Sequence, residues 1–400
     1  MLQDFNNIKV LFSGIKNIEE MKSLHAKEIF DRDVCSFLNT LSNLIRKDPE
    51  ARNYADIVTF GFFCRKASIE KLKQDYYQPC RIGRGVSFHI APSNVPINFA
   101  YSMVAGLLAG NSCVVRTSTK AFEQTDILCR IIQSACDVEQ TSIEKYIAII
   151  QYERNEEIND YISSIADVRI IWGGDSTIEQ LRKSKIPSRC VEVTFADRYS
   201  LCVLYAKDIL KISEWKKVAQ DFYNDTYLYD QNACSSPRLM YWIGENNEIE
   251  EAKKIFWNAI HQFVSEKYTI EPIIAVNKLT TDYRVAIEQT GIKIEQDIDN
   301  LFHRIHLKKL EKNLSDYSCP GGSFLEYSSK NLDDLSVIVD KKYQTLSYFG
   351  GNSKEITEWV IKKGISGIDR VVPMGKTADF ALTWDGYNLI ETMSRKISYQ

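Results

Sequence analysis

The sequence predicts an α/β protein whose first part is a doubly wound parallel sheet. Three observations carry this. Short β-prone runs alternate with helical stretches from residue 86 to residue 195, the pattern that builds parallel sheets with helices on both faces. Breaker clusters stand at the strand-to-helix joints, Ala91-Pro92-Ser93-Asn94 and Gly173-Gly174-Asp175-Ser176. A second α/β region then follows a change of pattern near residue 196.

Taken in order, residues 1 to about 80 read as mixed helix with few strong strand signals. Val86–Ile90 is a short strand, and Pro96 falls in the first turn of the helix after it, where proline is tolerated. Gly110-Asn111 stops that helix. Strands are expected at 112–116, 146–151 and Val168–Trp172, and helices at 122–136, Glu156–Ile165 and 177–184. Two apolar segments, Val191–Phe195 and 201–205, flank Ala196-Asp197-Arg198-Tyr199-Ser200, and the domain boundary is placed there. Beyond it, strands are expected at 238–243, 270–276 and 335–339. No repeat, low-complexity segment or long Pro/Gly/Ser linker interrupts the chain, so two closely packed domains with a cleft between them are expected.

Four hundred residues, 44% hydrophobic and 26% charged, suffice for two or three globular domains. A formal net charge of −3 and a pI near 6.1 leave no basic field for nucleic acid or an acidic membrane. The most apolar stretch, residues 95–110, is too short and too polar to span a bilayer. The start of the chain has no signal-peptide pattern. Ten scattered cysteines, none in a C-x-x-C pair, fit reduced thiols in a cytoplasmic protein better than disulfides or a zinc site.

One cysteine stands apart. Cys234 lies in Asp-Gln-Asn-Ala-Cys-Ser-Ser-Pro (230–237), among small and polar neighbours ahead of a strand. It reads either as an accessible nucleophile or as a buried or inert thiol. Asn94 reads as an oxyanion donor or as a helix cap. The turn Gly173-Gly174-Asp175-Ser176-Thr177 lets a phosphate approach a helix N-terminus, or is a tight turn with an Asp or Ser cap. Gly83-Arg84-Gly85 precedes a strand and is taken as structural. His303 and His306 could share a helical face, but no third ligand lies nearby, and no metal site is expected. There is no G-x-S-x-G elbow of a hydrolase.

Three of these segments together resemble the aldehyde-dehydrogenase superfamily, in the right order. Residues 91–99 (Ala-Pro-Ser-Asn-Val-Pro-Ile-Asn-Phe) and 109–118 (Ala-Gly-Asn-Ser-Cys-Val-Val-Arg-Thr-Ser) look like its P-W-N-F-P loop and A-G-N-x-V-V-x-K-P strand. Trp-Gly-Gly-Asp-Ser-Thr (172–177) looks like its G-S-T phosphate turn, and Gln-Asn-Ala-Cys (231–234) like its nucleophile segment. More narrowly, the chain is similar to the acyl-CoA reductases of bacterial luminescence, the LuxC family. That match rests on residues 58–66 (Val-Thr-Phe-Gly-Phe-Phe-Cys-Arg-Lys), 195–200, 230–237 and 384–390 (Trp-Asp-Gly-Tyr-Asn-Leu-Ile), and runs from about residue 55 nearly to the end.

The resemblance implies an aldehyde-dehydrogenase-like fold, two doubly wound α/β domains with the active site in the cleft. Residues 1–198 would form the N-terminal region and NADP(H)-binding domain, and 199–375 the nucleophile domain. Residues 376–400 would pack back on the cofactor domain or form an oligomer interface. It implies Cys234 as the acylated nucleophile and Asn94 as oxyanion donor. Ala91, Pro92, Ser93, Arg116, Ser118, Gly173, Gly174, Asp175, Ser176 and Thr177 would hold the cofactor.

Thr119 stands where the oxidative enzymes carry a glutamate that favours NAD. With Arg116 nearby to attract a 2′-phosphate, NADPH is the expected cofactor. Phe195 stands where those enzymes keep the glutamate that activates water, which suits a reductase whose acyl-enzyme must wait for hydride. The implied reaction is NADPH-dependent reduction of an acyl thioester (acyl-CoA or acyl-protein) to an aldehyde. The implied partners are an acyl-protein synthetase and further copies of the chain. Two other readings stay open: an NAD(P)-dependent aldehyde dehydrogenase using Glu192 as base, and a non-catalytic assembly subunit.

Overall fold

The computed structural model describes residues 7–296 and 298–400. The chain forms two compact units, Met1–Ala196 with Phe380–Gln400, and Asp197–Asp379. Among the described residues no helix is long and apolar enough to cross a membrane.

The first unit opens with strand β1 (Lys9–Ser13) and helices α1 (Arg32–Lys47), α2 (Ala55–Phe63) and α3 (Lys66–Tyr76). The short strand β2 (Arg81–Gly83) leads into the alternating part: β3 (Val86–Ile90), α4 (Asn98–Leu108), β4 (Ser112–Thr117), α5 (Glu123–Glu139) and β5 (Ile147–Gln151). It continues through α6 (Glu156–Ile165), β6 (Val168–Trp172), α7 (Asp175–Leu181) and β7 (Val191–Phe195). Helix α1 shows why such sequences fold locally. Asp31 caps it by accepting from the amides of Asp33 and Val34, and Val34, Phe37, Leu38, Leu41 and Ile45 form the buried stripe of an amphipathic helix. Each such side chain contributes about 1.5–3 kcal/mol on burial.

The strands stand in the order β1-β5-β4-β3-β6-β7, parallel except for β1, which runs antiparallel to β5. Every residue of β3 and β6 is buried, as strands covered on both faces must be. From β3 the chain steps one way through β4 and β5, and later the other way through β6 and β7. The switch point therefore falls between β3 and β6, where open α/β sheets bind ligands at their carboxyl ends.

The second unit carries β8 (Tyr199–Tyr205), α8 (Ala206–Ile209), α9 (Trp215–Asp225), β9 (Pro237–Ile243), α10 (Asn246–Lys267) and α11 (Pro272–Glu288). After these come β10 (Lys293–Gln296), β11 (His303–His306), β12 (Ser323–Ser329), β13 (Tyr343–Phe349), α12 (Ser353–Lys363) and β14 (Arg370–Pro373). Its sheet has the order β10-β11-β12-β9-β8-β13-β14, with only β10 antiparallel among the described strands.

The chain then returns to the first unit with β15 (Thr383–Trp384), β16 (Tyr387–Asn388), α13 (Leu389–Met393) and β17 (Ser394–Lys396). Strand β17 pairs antiparallel with β2. Asn111, fully buried, fastens this return: its Nδ2 donates to the carbonyl of Met393 (3.0 Å), and its Oδ1 accepts from the amides of Arg84 (2.7 Å) and Gly85 (3.2 Å).

Four sequence expectations need correction. Residues 270–276 are not a strand but run into α11, with Pro272 at the first helical positions. Residues 335–339 lie mostly in a short 3-10 helix, Asp333–Val337, while the neighbouring strands are β12 and β13. His303 and His306 sit on β11 rather than a helix, and an odd spacing in a strand turns them to opposite faces. Pro96 precedes the cap residue Ile97 of α4 instead of standing in its first turn.

Candidate active site

In the first unit, the expected cofactor residues gather at the carboxyl end of one sheet. Ile90, the last residue of β3, lies in register with Arg116 of β4 and Ile171 of β6. The amide of Ala91 donates to the Arg116 carbonyl, 3.0 Å. The loop with Ala91, Pro92, Ser93 and Asn94, the end of β4 with Arg116 and Ser118, and the turn Gly173-Gly174 therefore emerge side by side across the switch point.

Asn94 is exposed and stands three residues ahead of Ile97, the cap of α4, which has no side-chain cap bond. Asn94 therefore does not stand at the N-cap position of α4. The cap reading of the glycine turn fails likewise. Helix α7 begins at Asp175 behind Gly174, without a side-chain cap, so Asp175, Ser176 and Thr177 form its first turn. Thr177 and Ile178 donate to the Gly174 carbonyl.

The guanidinium of Arg116 lies over the ring of Tyr152, 4.6 Å from its centroid, and Nη2 donates to the Tyr152 carbonyl, 3.2 Å. Its Nε is buried without a hydrogen-bond partner. Ser118 Oγ accepts from the Lys120 amide, 3.1 Å, and Thr119 is exposed.

Phe195, the last residue of β7, stacks on Trp172 with centroids 3.7 Å apart. Glu192 is committed elsewhere. Its carboxylate accepts from Arg169 Nε (2.8 Å) and Arg182 Nε (2.7 Å), and also pairs with Arg169 Nη2. Burial alone would raise its pKa, but the hydrogen bonds from Arg182 and Arg169 outweigh that and hold the carboxyl below its ordinary range. A carboxylate so occupied is a poor general base.

In the second unit, Cys234 sits at the amino end of β9, in a loop held from beneath. Asp230 and Gln231 both adopt left-handed backbone, φ 51° and 59°, which is uncommon for residues with a Cβ and needs compensating bonds. Gln231 supplies them. Its Nε2 donates to the carbonyls of Pro237 (2.9 Å) and Ser323 (3.1 Å), and its Oε1 accepts from the amides of Gly322 (2.9 Å) and Ser323 (3.1 Å). That uses the full capacity of a buried amide. Arg238, the second residue of β9, donates to the carbonyls of Gln231 (2.6 Å) and Cys319 (2.8 Å). Burial pushes its pKa down, while Tyr199, Cys319 and Cys234 act in the opposite sense.

The Cys234 carbonyl accepts from Ser200 Oγ (2.7 Å), and its sulfur from Gln344 Nε2 (3.5 Å). Gln344 is fully buried on β13, and its Oε1 accepts from Thr345 Oγ1, 3.2 Å. Among the ten free cysteines only Cys80 and Cys234 are exposed. Burial pushes the thiols of Cys113, Cys129, Cys136 and Cys202 up to about 12, and those of Cys35 and Cys190 to about 11. Those thiols stay protonated at neutral pH and are poor nucleophiles. Gln344, Gln231 and Arg238 were not anticipated from the sequence. Only sheet pairing brings Gln344 to a loop 110 residues earlier.

The profile of the family described as acyl-CoA reductase (LuxC) matches residues 26–272. Among curated proteins, the long-chain acyl-protein thioester reductase of Aliivibrio fischeri is 30% identical over 177 residues, 42% of this chain and 35% of that protein. Long-chain acyl-protein thioester reductase 2 of Photobacterium leiognathi is 29% identical over 246 residues, 60% and 46%. The corresponding protein of Photorhabdus laumondii is 23% identical over 358 residues, 86% and 70%. The matches thus span less than half the length of the first two relatives.

Among solved structures, lactaldehyde dehydrogenase from Escherichia coli superposes with a TM-score of 0.63 at 12% identity, covering 95% of this chain and 87% of that one. Indole-3-acetaldehyde dehydrogenase complexed with NAD+ gives 0.62 at 10% identity, covering 91% and 82%. At such identities the likeness speaks to fold alone. With the family profile spanning well over half of its residues, the chain belongs to the acyl-CoA reductase (LuxC) family and has the aldehyde-dehydrogenase fold.

Proposed function

We propose that the protein reduces an acyl thioester, carried by coenzyme A or by a protein, to an aldehyde through an S-acyl enzyme on Cys234, with NADPH as reductant. The observation that carries this reading is the state of the ten thiols. Cys234 alone is both exposed and hydrogen-bonded at sulfur by a buried amide.

The Cys234 thiolate attacks the acyl carbon, and the Asn94 amide with a backbone N–H steadies the oxyanion. The bond to the donor thiol breaks, that thiol leaves with a proton, and the acyl group stays on Cys234. When bound, NADPH supplies the hydride that the acyl carbon accepts. Cys234 then leaves as thiolate, and the aldehyde is released. The guanidinium of Arg116 and the uncapped start of α7, on the strand ends either side of β3, suit a dinucleotide carrying an extra phosphate. Arg116 would meet the 2′-phosphate and Gly173–Thr177 the pyrophosphate, with Ala91, Pro92, Ser93 and Ser118 lining the approach. In this reading residues 1–198 hold the cofactor and 199–375 the nucleophile. Phe195 leaves water without a base at its position. An acyl-protein synthetase and further copies of the chain are the partners the family suggests.

No observation favours the oxidative direction, since Glu192 is tied to two arginines. Cys234→Ala should abolish both acyl labelling and NADPH oxidation, while Cys80→Ala keeps both. Labelling that survives Cys234→Ala would refute the assignment. Arg116→Ala should raise the KM for NADPH about tenfold or more, as loss of a charge-assisted bond does. It should leave the KM for NADH nearly unchanged, and equal effects would remove the phosphate role.

A further inference from the structure

The strand ladders beside Cys234 are out of step, and both irregularities meet at one residue. In the pairing of β13 with β8, Tyr343 lies opposite Tyr199 and Leu346 opposite Leu201. One residue of β8, Ser200, therefore stands against two of β13, Gln344 and Thr345. In the pairing of β8 with β9, Ser200 lies opposite Pro237, and the next residue, Leu201, lies opposite Leu239. Here Arg238 is the extra residue. Insertions of this kind are rare between parallel strands, and beside active sites they re-aim a side chain. The side chains inserted here are Gln344, which donates to the Cys234 sulfur, and Arg238, which donates to the Gln231 carbonyl beneath the same loop.

A bulge takes a backbone group away from its ladder partner, and a buried amide needs another acceptor. Thr345 is buried, and its amide donates to Ser200 Oγ at 3.2 Å. The same hydroxyl donates to the Cys234 carbonyl at 2.7 Å. A hydroxyl has one proton and two lone pairs. In Ser200, which is itself buried, the proton goes to the nucleophile loop and a lone pair takes the bulge amide. The Gln344 carbonyl accepts from the Asp369 amide at 2.8 Å. The peptide group joining Gln344 to Thr345 is thereby held at both ends, its oxygen by Asp369 and its N–H by Ser200.

We propose that Ser200 is a positioning residue of the acylation site, whose hydroxyl locks the Gln344–Thr345 peptide group to the Cys234 backbone and so holds the Gln344 amide on the sulfur. Its place in catalysis rests on Cys234 being the acylated thiol.

Alkylation of Cys234 by iodoacetamide, followed by peptide mass spectrometry across pH, tests this without acyl donor or NADPH. A failure here and a failure to find acyl-Cys234 are therefore separate results. Ser200→Ala should slow alkylation at pH 7 by about threefold or more, but by less than the roughly tenfold expected on removing the Gln344 amide itself. The rate at high pH, where every accessible thiol is ionised, should not change. Ser200→Ala with Gln344→Met should react no more slowly than Gln344→Met alone, because the two act through one bond. Ser347→Ala is the comparison. Its hydroxyl, also buried, donates from β13 to the Leu201 carbonyl of β8 at 3.3 Å. It should resemble Ser200→Ala in unfolding midpoint and the wild type in pH profile. A wild-type profile in Ser200→Ala would overturn the proposal. So would additive slowing in the double variant, or equal slowing in Ser347→Ala. Hydrogen exchange of the wild type decides if Ser200→Ala does not fold. The Thr345 amide should exchange as slowly as those of Leu346 and Ser347, and exchange at the rate of a loop amide would refute the lock.

Discussion

At the residue scale the account turns on how a loop thiol is set apart from nine others. The exposure of Cys234 was legible from its small, polar neighbours, whereas the bond that marks its sulfur was not. Gln344 reads in the sequence as one polar residue in Tyr-Gln-Thr-Leu-Ser-Tyr-Phe, and nothing local ties it to residue 234. Only the pairing of β13 with β8, whose Ser200 also holds the Cys234 carbonyl, brings the two together. Arg238 is only four residues from Cys234, yet its burial depends on β9 lying within the sheet.

A positioning role for Gln344 predicts a specific signature. Gln344→Met should slow alkylation of Cys234 at pH 7 about tenfold, matching a ~1.5 kcal/mol hydrogen bond to a charged acceptor. The rate at high pH, where every accessible thiol is ionised, should stay the same, as should the KM for NADPH. A merely structural glutamine would change both rates together or neither.

At the scale of elements, the alternating region was legible because each segment obeys one local rule, and the failures came where a rule was inverted. Residues 270–276 read as a strand because Ile270, Ile273, Ile274 and Val276 crowd together. The structure makes the latter part the start of a helix whose apolar side faces outward, so the buried stripe contains Lys278 and Asp282 instead. His303 was misplaced for a related reason: its partner Asp282 lies on α11, which periodicity alone could not assign.

Strand β3 carries another polar residue whose place only the fold explains. His89, fully buried, is hydrogen-bonded through Nδ1 to Ser102 of α4 (2.7 Å) and through Nε2 to Ser87 (2.8 Å), and Trp172 Nε1 also donates to Ser102. Burial holds the His89 pKa down to about 3. The unfolded chain therefore takes up a proton below pH ~6.5 that the folded chain refuses. Stability present at neutral pH should be lost as pH falls from ~6.5 toward 3, at up to ~1.4 kcal/mol per pH unit from this residue alone. Urea midpoints between pH 7 and pH 5 check this. His89→Asn should flatten the slope by about one proton, and an unchanged slope would contradict the reading.

At the scale of the whole molecule, the two units have separate sheets and separate tasks in the proposed reaction. Strand–helix alternation from 86 to 195 gave away the first sheet. The second is harder to see, because β12 and β13 mix Ser and Tyr with their apolar residues although both strands are mostly buried. The family resemblance was read from about residue 55, and the family profile begins earlier, at residue 26, taking in α1. Helix α1 carries packing residues rather than chemistry, so no short motif marks it in the sequence.

The central claim is that one thiol carries the acyl group until hydride arrives. Intact-mass and peptide mass spectrometry of the protein mixed with a long-chain acyl-CoA tests it most directly. We predict a single acyl adduct on the peptide containing Cys234, persistent in buffer and discharged as aldehyde when NADPH is added. An adduct on any other residue, or one that water clears as fast as NADPH does, would contradict the account.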